Sequence, residues 1–325
     1  ETLALAEEYM RLIDLSSLFQ VLGTGLTPFI RNMGGTVTAM SAMIAGFVTN
    51  IVLDYLFVWV LPWGMTGAAV ATVIGQAATF CVCLGYLVVK KQKPDFRFGG
   101  RAFRFAGKTL LLGLSPFGLA FSPNFMLIFV NFSASAVGGQ FALNCFAPVS
   151  YAISVVLLLL QGVSDGCQPL VSREFGSGSA RGARSVRNLA FAFALVVAAV
   201  CMAVMFAVRR DISKVFGASD EVAAEVGNIL PLFIAGFLFV GFSRIATAYF
   251  YATGNTWRAY IVIYGEPLCL LVLLLILPNF MGITGTWLSV PLSQASLAVV
   301  AFLLVFLYDR GQRKMEKNIS TAEKA

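Results

Sequence analysis

RNMGGTVTAMSAMIAGFVTNIVLDYLFVWVLPWGMTGAAVATVIGQA, residues 31–77, is the stretch on which the fold turns. It opens on a basic residue and a Gly-rich turn, and an apolar run over 36–61 follows, carrying one Asn (Asn50) and one Asp (Asp54). A second tight turn, PWGMTG, leads into another apolar run. Runs of this length and polarity are transmembrane helices. An aspartate in the middle of one is costly, which makes Asp54 a functional candidate. The pattern returns near the other end of the chain. Gly34-Gly35-Thr36 lines up with Gly254-Asn255-Thr256, Gly64-Met65-Thr66-Gly67 with Gly282-Ile283-Thr284-Gly285, and Gln76 with Gln294. That is an internal repeat of a three-helix unit, as in transporters built from two related lobes.

The composition agrees. Hydrophobic residues make up 58% and charged residues 12%, with a mean hydropathy of +0.83, far from a soluble globular average. There is no histidine, which removes most zinc sites and Ser-His or Cys-His catalysis. No metal site is expected. The six cysteines all sit inside apolar runs and read as small packing residues. GVSDG, residues 162–166, matches a hydrolase nucleophile pattern, but a helix stands where that motif needs a strand. Gly162 and Gly166 read instead as sites of close helix approach. The chain is not expected to be an enzyme.

Nine apolar runs are legible, over 9–30, 36–61, 66–89, 109–132, 141–163, 189–208, 227–251, 259–277 and 284–308. Assigning alternate connections to one side gathers most of the 23 Lys and Arg at 31, 90–108, 173–187, 258 and the tail. By the positive-inside rule that side is cytoplasmic, and it includes the C-terminus. The net charge of +7 is therefore topology, and no nucleic-acid partner is implied. The Phe-Arg alternation in 90–108 belongs on anionic headgroups.

NIVLDYLF and GMTGAAVATVIGQ, then LLLGLSPFGLAFSPNFMLIFVN, then FAPVSYAISVVLLLLQGVSDGCQPLVSREFGSGSARGARS and ATAYFYATGNTWRAY, occur in an order that resembles the multidrug and toxic compound extrusion (MATE) family, in its bacterial subgroup. The resemblance implies an all-α integral membrane protein with two six-helix lobes around a central cavity. Here it would be partial, with about nine transmembrane helices and about the first three lacking. Its parts would be 1–92, the second half of the N-terminal lobe; 93–108, a basic cytoplasmic linker; 109–310, the C-terminal lobe; and 311–325, a cytoplasmic tail. The implied function is an antiporter of a bacterial inner membrane, acting as a monomer. It would export amphipathic or cationic organic compounds in exchange for Na⁺ or H⁺, with no other cofactor. The alternative is a flippase for a lipid-linked sugar from the same superfamily. Such a flippase needs several inward-facing basic residues, and only Arg244 is clearly intramembrane. Some family members carry a carboxylate about eight residues after a Pro in the seventh helix; at that spacing from Pro116 this chain has Asn124.

The candidate residues follow from polarity inside spans. Asn50 lies one turn before Asp54, and the pair either serves cation coupling or makes a structural hydrogen bond. Asp165, with Gln161 one turn before it, either lines a cavity or caps a cytoplasmic gate. Asn131 and Asn124 are cavity candidates, since an amide cannot stay unpaired in hydrocarbon. Arg244 and Glu266 stand equally far from Asn255 on the two arms of a helical hairpin. At about 1.5 Å per residue they reach one depth, where they meet directly or through water, as a fixed pair or as coupling groups. Pro267 loosens the backbone at that level by freeing a carbonyl.

Overall fold

The computed structural model describes residues 2–92 and 100–322. Helix is the only regular secondary structure among them. A spanning segment must satisfy its own backbone hydrogen bonds, and the helix does so locally. The helices are α1 (Thr2–Asn32), α2 (Thr36–Asp54), α3 (Gly64–Val89), α4 (Gly100–Gly176), α5 (Ala180–Ala207), α6 (Asp220–Ile234), α7 (Phe237–Ala252), α8 (Thr256–Met281) and α9 (Ile283–Ala322). A single π-helical turn, Tyr55–Val60, continues α2 directly after Asp54.

Seven of these helices are long and apolar enough to cross a membrane, and an eighth span arises if α6 and α7 count as one, bent by 41°. The expected runs 109–132 and 141–163 are fused within α4. They are separated only where Gly139 leaves helical geometry at φ 62°, a conformation a Cβ would strain. The expected run 227–251 is the bent α6–α7 pair, with Pro231 a turn before the bend. The segment after Tyr308 does not leave the helix, because α9 continues to Ala322 through residues of good helix propensity. Of the basic linker, 93–99 lies outside the described residues, and helix α4 begins at Gly100.

The chain divides into two compact units, Glu1–Phe98 and Gly99–Ala325. In the first, α2 and α3 meet closely where Gly46 and Asn50 face Gly75 and Thr79, and small residues are buried along both helices, Ala39 and Ala42 on α2 and Ala71 and Cys83 on α3. Without a hydrophobic drive between helices in lipid, such close backbone approach supplies the packing. A Cβ on Gly46 would collide with Thr79 Oγ1. The second unit has an aromatic centre, where Phe146, Phe233 and Trp287 lie within 6.0 Å of one another, ring centre to ring centre. Outward faces are apolar throughout; Trp59, Phe132 and Phe280 are among the most exposed side chains. On the connection between α5 and α6, Lys214 donates to Asp211 at 2.7 Å and holds that carboxyl below its usual value.

The internal repeat is visible in both units. Gly34 and Gly254 turn at φ 85° and 74°, and Gly64 and Gly282 at φ 55° and 58°. A Cβ on Gly67 would meet Phe57, and one on Gly285 would meet Leu277, its counterpart. The first unit is two residues longer between these turns, and the π-helical turn stands in that interval. Gly162 and Gly166 depart from expectation. No heavy atom lies within 4 Å of a Cβ at either, because both are on an exposed part of α4, away from any helix contact.

Gly285→Ala forces a Cβ to 2.5 Å from the Leu277 carbonyl oxygen. It should lower stability by about 1–3 kcal/mol, read as an earlier thermal transition in detergent. Gly85→Ala, with open space at its Cβ, should leave the transition in place or raise it slightly.

Candidate functional site

Among the described residues the second unit buries three guanidinium groups, those of Arg184, Arg187 and Arg244, and Arg244 is the one on a cavity wall. Arg244 stands on α7, 9% exposed, on the wall of two cavities of about 150 Å³ and 550 Å³. Its Nη1 donates to Gln161 Oε1 at 3.0 Å and to the Leu119 carbonyl at 3.3 Å. The second contact has a cause in the sequence. Pro123 has no N–H, so the carbonyl four residues earlier, that of Leu119, is released from the α4 ladder. Gln161 then passes its amide to Asp165, Nε2 to Oδ1 at 2.8 Å. Ser164 on the same turn donates to the Arg244 carbonyl at 3.1 Å, tying α4 to α7.

Glu266 and Gln294 share the smaller cavity with Arg244 and Asn124. Glu266 is half-buried on α8, directly before Pro267. The expected meeting of Arg244 and Glu266 takes a different form: they face one cavity, and among the described residues no salt bridge joins them. Glu266 makes no hydrogen bond among the described residues either. Gln294 is 5% exposed, and its Oε1, without a hydrogen-bond partner among the described residues, lies against Gly236 at the α6–α7 bend, where a Cβ would collide with it. Asn124 donates to Ala120 O of its own helix at 3.2 Å. Asn131 is half-buried and lines neither cavity.

The first unit has the repeat's counterpart of this site. A cavity of about 270 Å³ is lined by Gln20, Thr24, Gly46, Asn50, Thr72 and Gln76, among others. By the repeat alignment, Thr24 stands where the second unit has Arg244, Gly46 where it has Glu266, and Gln76 where it has Gln294. The scaffold is shared and the charges are confined to the second copy. Asp54 is not among the residues lining the cavity. Its Oδ1 is buried and has no hydrogen-bond partner among the described residues, at the start of the π-helical turn, a geometry found disproportionately at functional sites.

Sequence reading missed one cluster. Arg187, counted there with the cytoplasmic 173–187 connection, is 4% exposed on α5. It grips Asp309 through two bonds of 2.9 Å, and its guanidinium lies 4.5 Å from the centre of the Tyr249 ring. Tyr249 Oη donates to the same carboxylate at 3.4 Å. Arg184 is also buried. The signal was present: Ala183, Ala190, Ala194 and Ala198 mark the packed face of α5, and Arg187 falls on it.

The MatE family profile matches residues 119–276. The multidrug export protein MepA of Staphylococcus saprophyticus is 24% identical over 314 residues, covering 94% of this chain and 68% of that protein. MepA of Staphylococcus aureus is 25% identical over 321 residues with the same coverage. Among solved structures, an outward-facing multidrug resistance MATE family transporter superposes with a TM-score of 0.87 at 19% identity, over 94% of this chain and 70% of that one. A MOP superfamily transporter from Pyrococcus furiosus gives 0.83 at 20%, over 93% and 69%. These two likenesses establish the fold.

Removing one partner of a buried, bidentate pair leaves the other charge uncompensated. Arg187→Gln should therefore cost about 3–5 kcal/mol, seen as a large fall in thermal stability. Arg181→Gln, at an exposed position of the same helix, should change it by less than about 0.5 kcal/mol.

Proposed function

The chain belongs to the MATE family of transporters, and from that premise we propose that it is a secondary antiporter of a bacterial plasma membrane. It exports amphipathic or cationic organic compounds in exchange for Na⁺ or H⁺, acts as a monomer and keeps its C-terminus in the cytoplasm. The multidrug export named for the staphylococcal relatives supports the cargo class, and the asymmetry of Lys and Arg supports the orientation.

One observation carries the exchange. Around the cavities of the second unit stand one buried base and two acids, Arg244 with Glu266 and Asp165. With all three ionised, the group is one positive charge short. In a region walled by apolar side chains that deficit is costly. A coupling cation or a cationic cargo can fill it, and both at once would overfill it. Mutual exclusion at one site is what an antiporter requires. Asp54 and Asn50 in the first unit give a second candidate position for the coupling ion. The lipid-linked sugar flippase is not favoured, because among the described residues Arg244 is the single basic one lining these cavities.

Membrane vesicles loaded with ethidium test the reading. Efflux should accelerate under an imposed inward Na⁺ or proton gradient and stay at the leak rate with neither. Asp54→Asn should slow gradient-driven efflux several-fold per molecule at unchanged protein level. Normal transport per molecule in that variant would make Asp54 structural, and efflux indifferent to both gradients would rule out antiport.

A further inference from the structure

We propose that Glu266 is the carboxylate that exchanges a proton for cationic cargo, and that Arg244 assigns it that role by engaging Asp165 through Gln161. The proposal rests on the antiport reading and names the ion and the residue.

Two acids share the field of one guanidinium, and the chain of hydrogen bonds runs to one of them. Arg244 Nη1 is committed to Gln161, which is itself committed to Asp165. Asp165 is exposed on the larger cavity, whereas Glu266 is half-buried, without a hydrogen bond or salt bridge among the described residues. A carboxylate withdrawn from water and without a cation in contact is the place where the missing positive charge belongs. The elements packed against α8 are α9, α4 and α7. Toward this region α7 presents Arg244 and, farther along, Tyr251; α4 presents Asp165; α9 presents the uncharged Gln294. On α8 itself, Tyr264 has its hydroxyl engaged, donating to Leu114 O at 2.9 Å.

A metal ion needs several ligands at once, and among the described residues no three acidic or thiol side chains gather to hold one, while a proton neutralises the carboxylate in place through an O–H bond. When an organic cation enters, that O–H bond breaks, the proton leaves to water, and the carboxylate remains as the cargo's counter-ion. When the cargo leaves, a proton rebinds. Arg244 therefore acts as a positioning residue. Were Asp165 neutral, Arg244 would turn to Glu266, the deficit would vanish, and no proton would be exchanged.

The test uses tetraphenylphosphonium, a permanent cation with no proton of its own, and the purified protein in lipid nanodiscs at low buffer strength. The wild type should release about one proton per cation bound, with loss of the infrared C=O stretch of a protonated carboxyl. Glu266→Gln should bind more weakly and release none. Asp165→Asn should also lose the release, although Asp165 does not carry the proton. Adding Arg244→Gln to Asp165→Asn should restore it, a rescue that no purely structural role predicts. Release persisting in Glu266→Gln, or absent in the double variant, would overturn the proposal. Cation binding by the wild type without proton release and without the infrared change would also overturn it while leaving antiport standing. Absence of any cation binding would overturn both. The infrared change in the wild type needs no variant to fold.

Discussion

A guanidinium buried among helices has to be met by oxygen, and α4 and α7 of the second unit are joined at that requirement. Arg244 is buried on α7, and its contacts come from two separate turns of α4. One is a backbone carbonyl that Pro123 has stripped of its ladder partner. The other is an amide oxygen whose nitrogen is already engaged by Asp165. Leaving such a charge unmet would cost several kcal/mol. The proline thus has a double effect: it weakens α4 at one turn and supplies the acceptor that holds α7 against that turn. Helix flexibility and charge compensation are properties of the same few residues.

The repeat explains why this site is single. Both units turn at equivalent glycines, close-pack at Gly67 and Gly285, and place Gln76 and Gln294 on cavity walls. On that common frame the first unit carries Thr24 and Gly46, and the second carries Arg244 and Glu266. A duplicated three-helix unit has diverged in polarity while keeping its packing. Small residues fix the frame because lipid offers helices little other reason to associate. The cavity positions have varied around it.

Much of this was legible in the sequence. Apolar runs and Gly-rich turns located the spans, the repeated turns located the units' shared geometry, and equal spacing from Asn255 placed Arg244 and Glu266 at one depth. What escaped has a physical reason in each case. A proline frees a carbonyl, but which donor takes it depends on the packing of another helix, so the Leu119–Arg244 bond was not readable. Arg187 read as one more base of a cytoplasmic connection because charge count alone ignores helix face, and its place on the alanine stripe of α5 was the overlooked cue. Gly162 and Gly166 looked like contact glycines by spacing, yet spacing does not say which face meets a neighbour, and theirs meets none within 4 Å. The run-on of α4 through residues 133–140 escaped because only Gly139 breaks it.

The central claim is that the cavity of the second unit lacks one positive charge and accepts a single one, proton or cargo. The most direct measurement is the dissociation constant of a permanent organic cation as a function of pH, by calorimetry in nanodiscs. One competing proton predicts that affinity falls about tenfold per pH unit on the acid side and levels off on the alkaline side. An affinity independent of pH, or one falling by two orders of magnitude per unit, would contradict it.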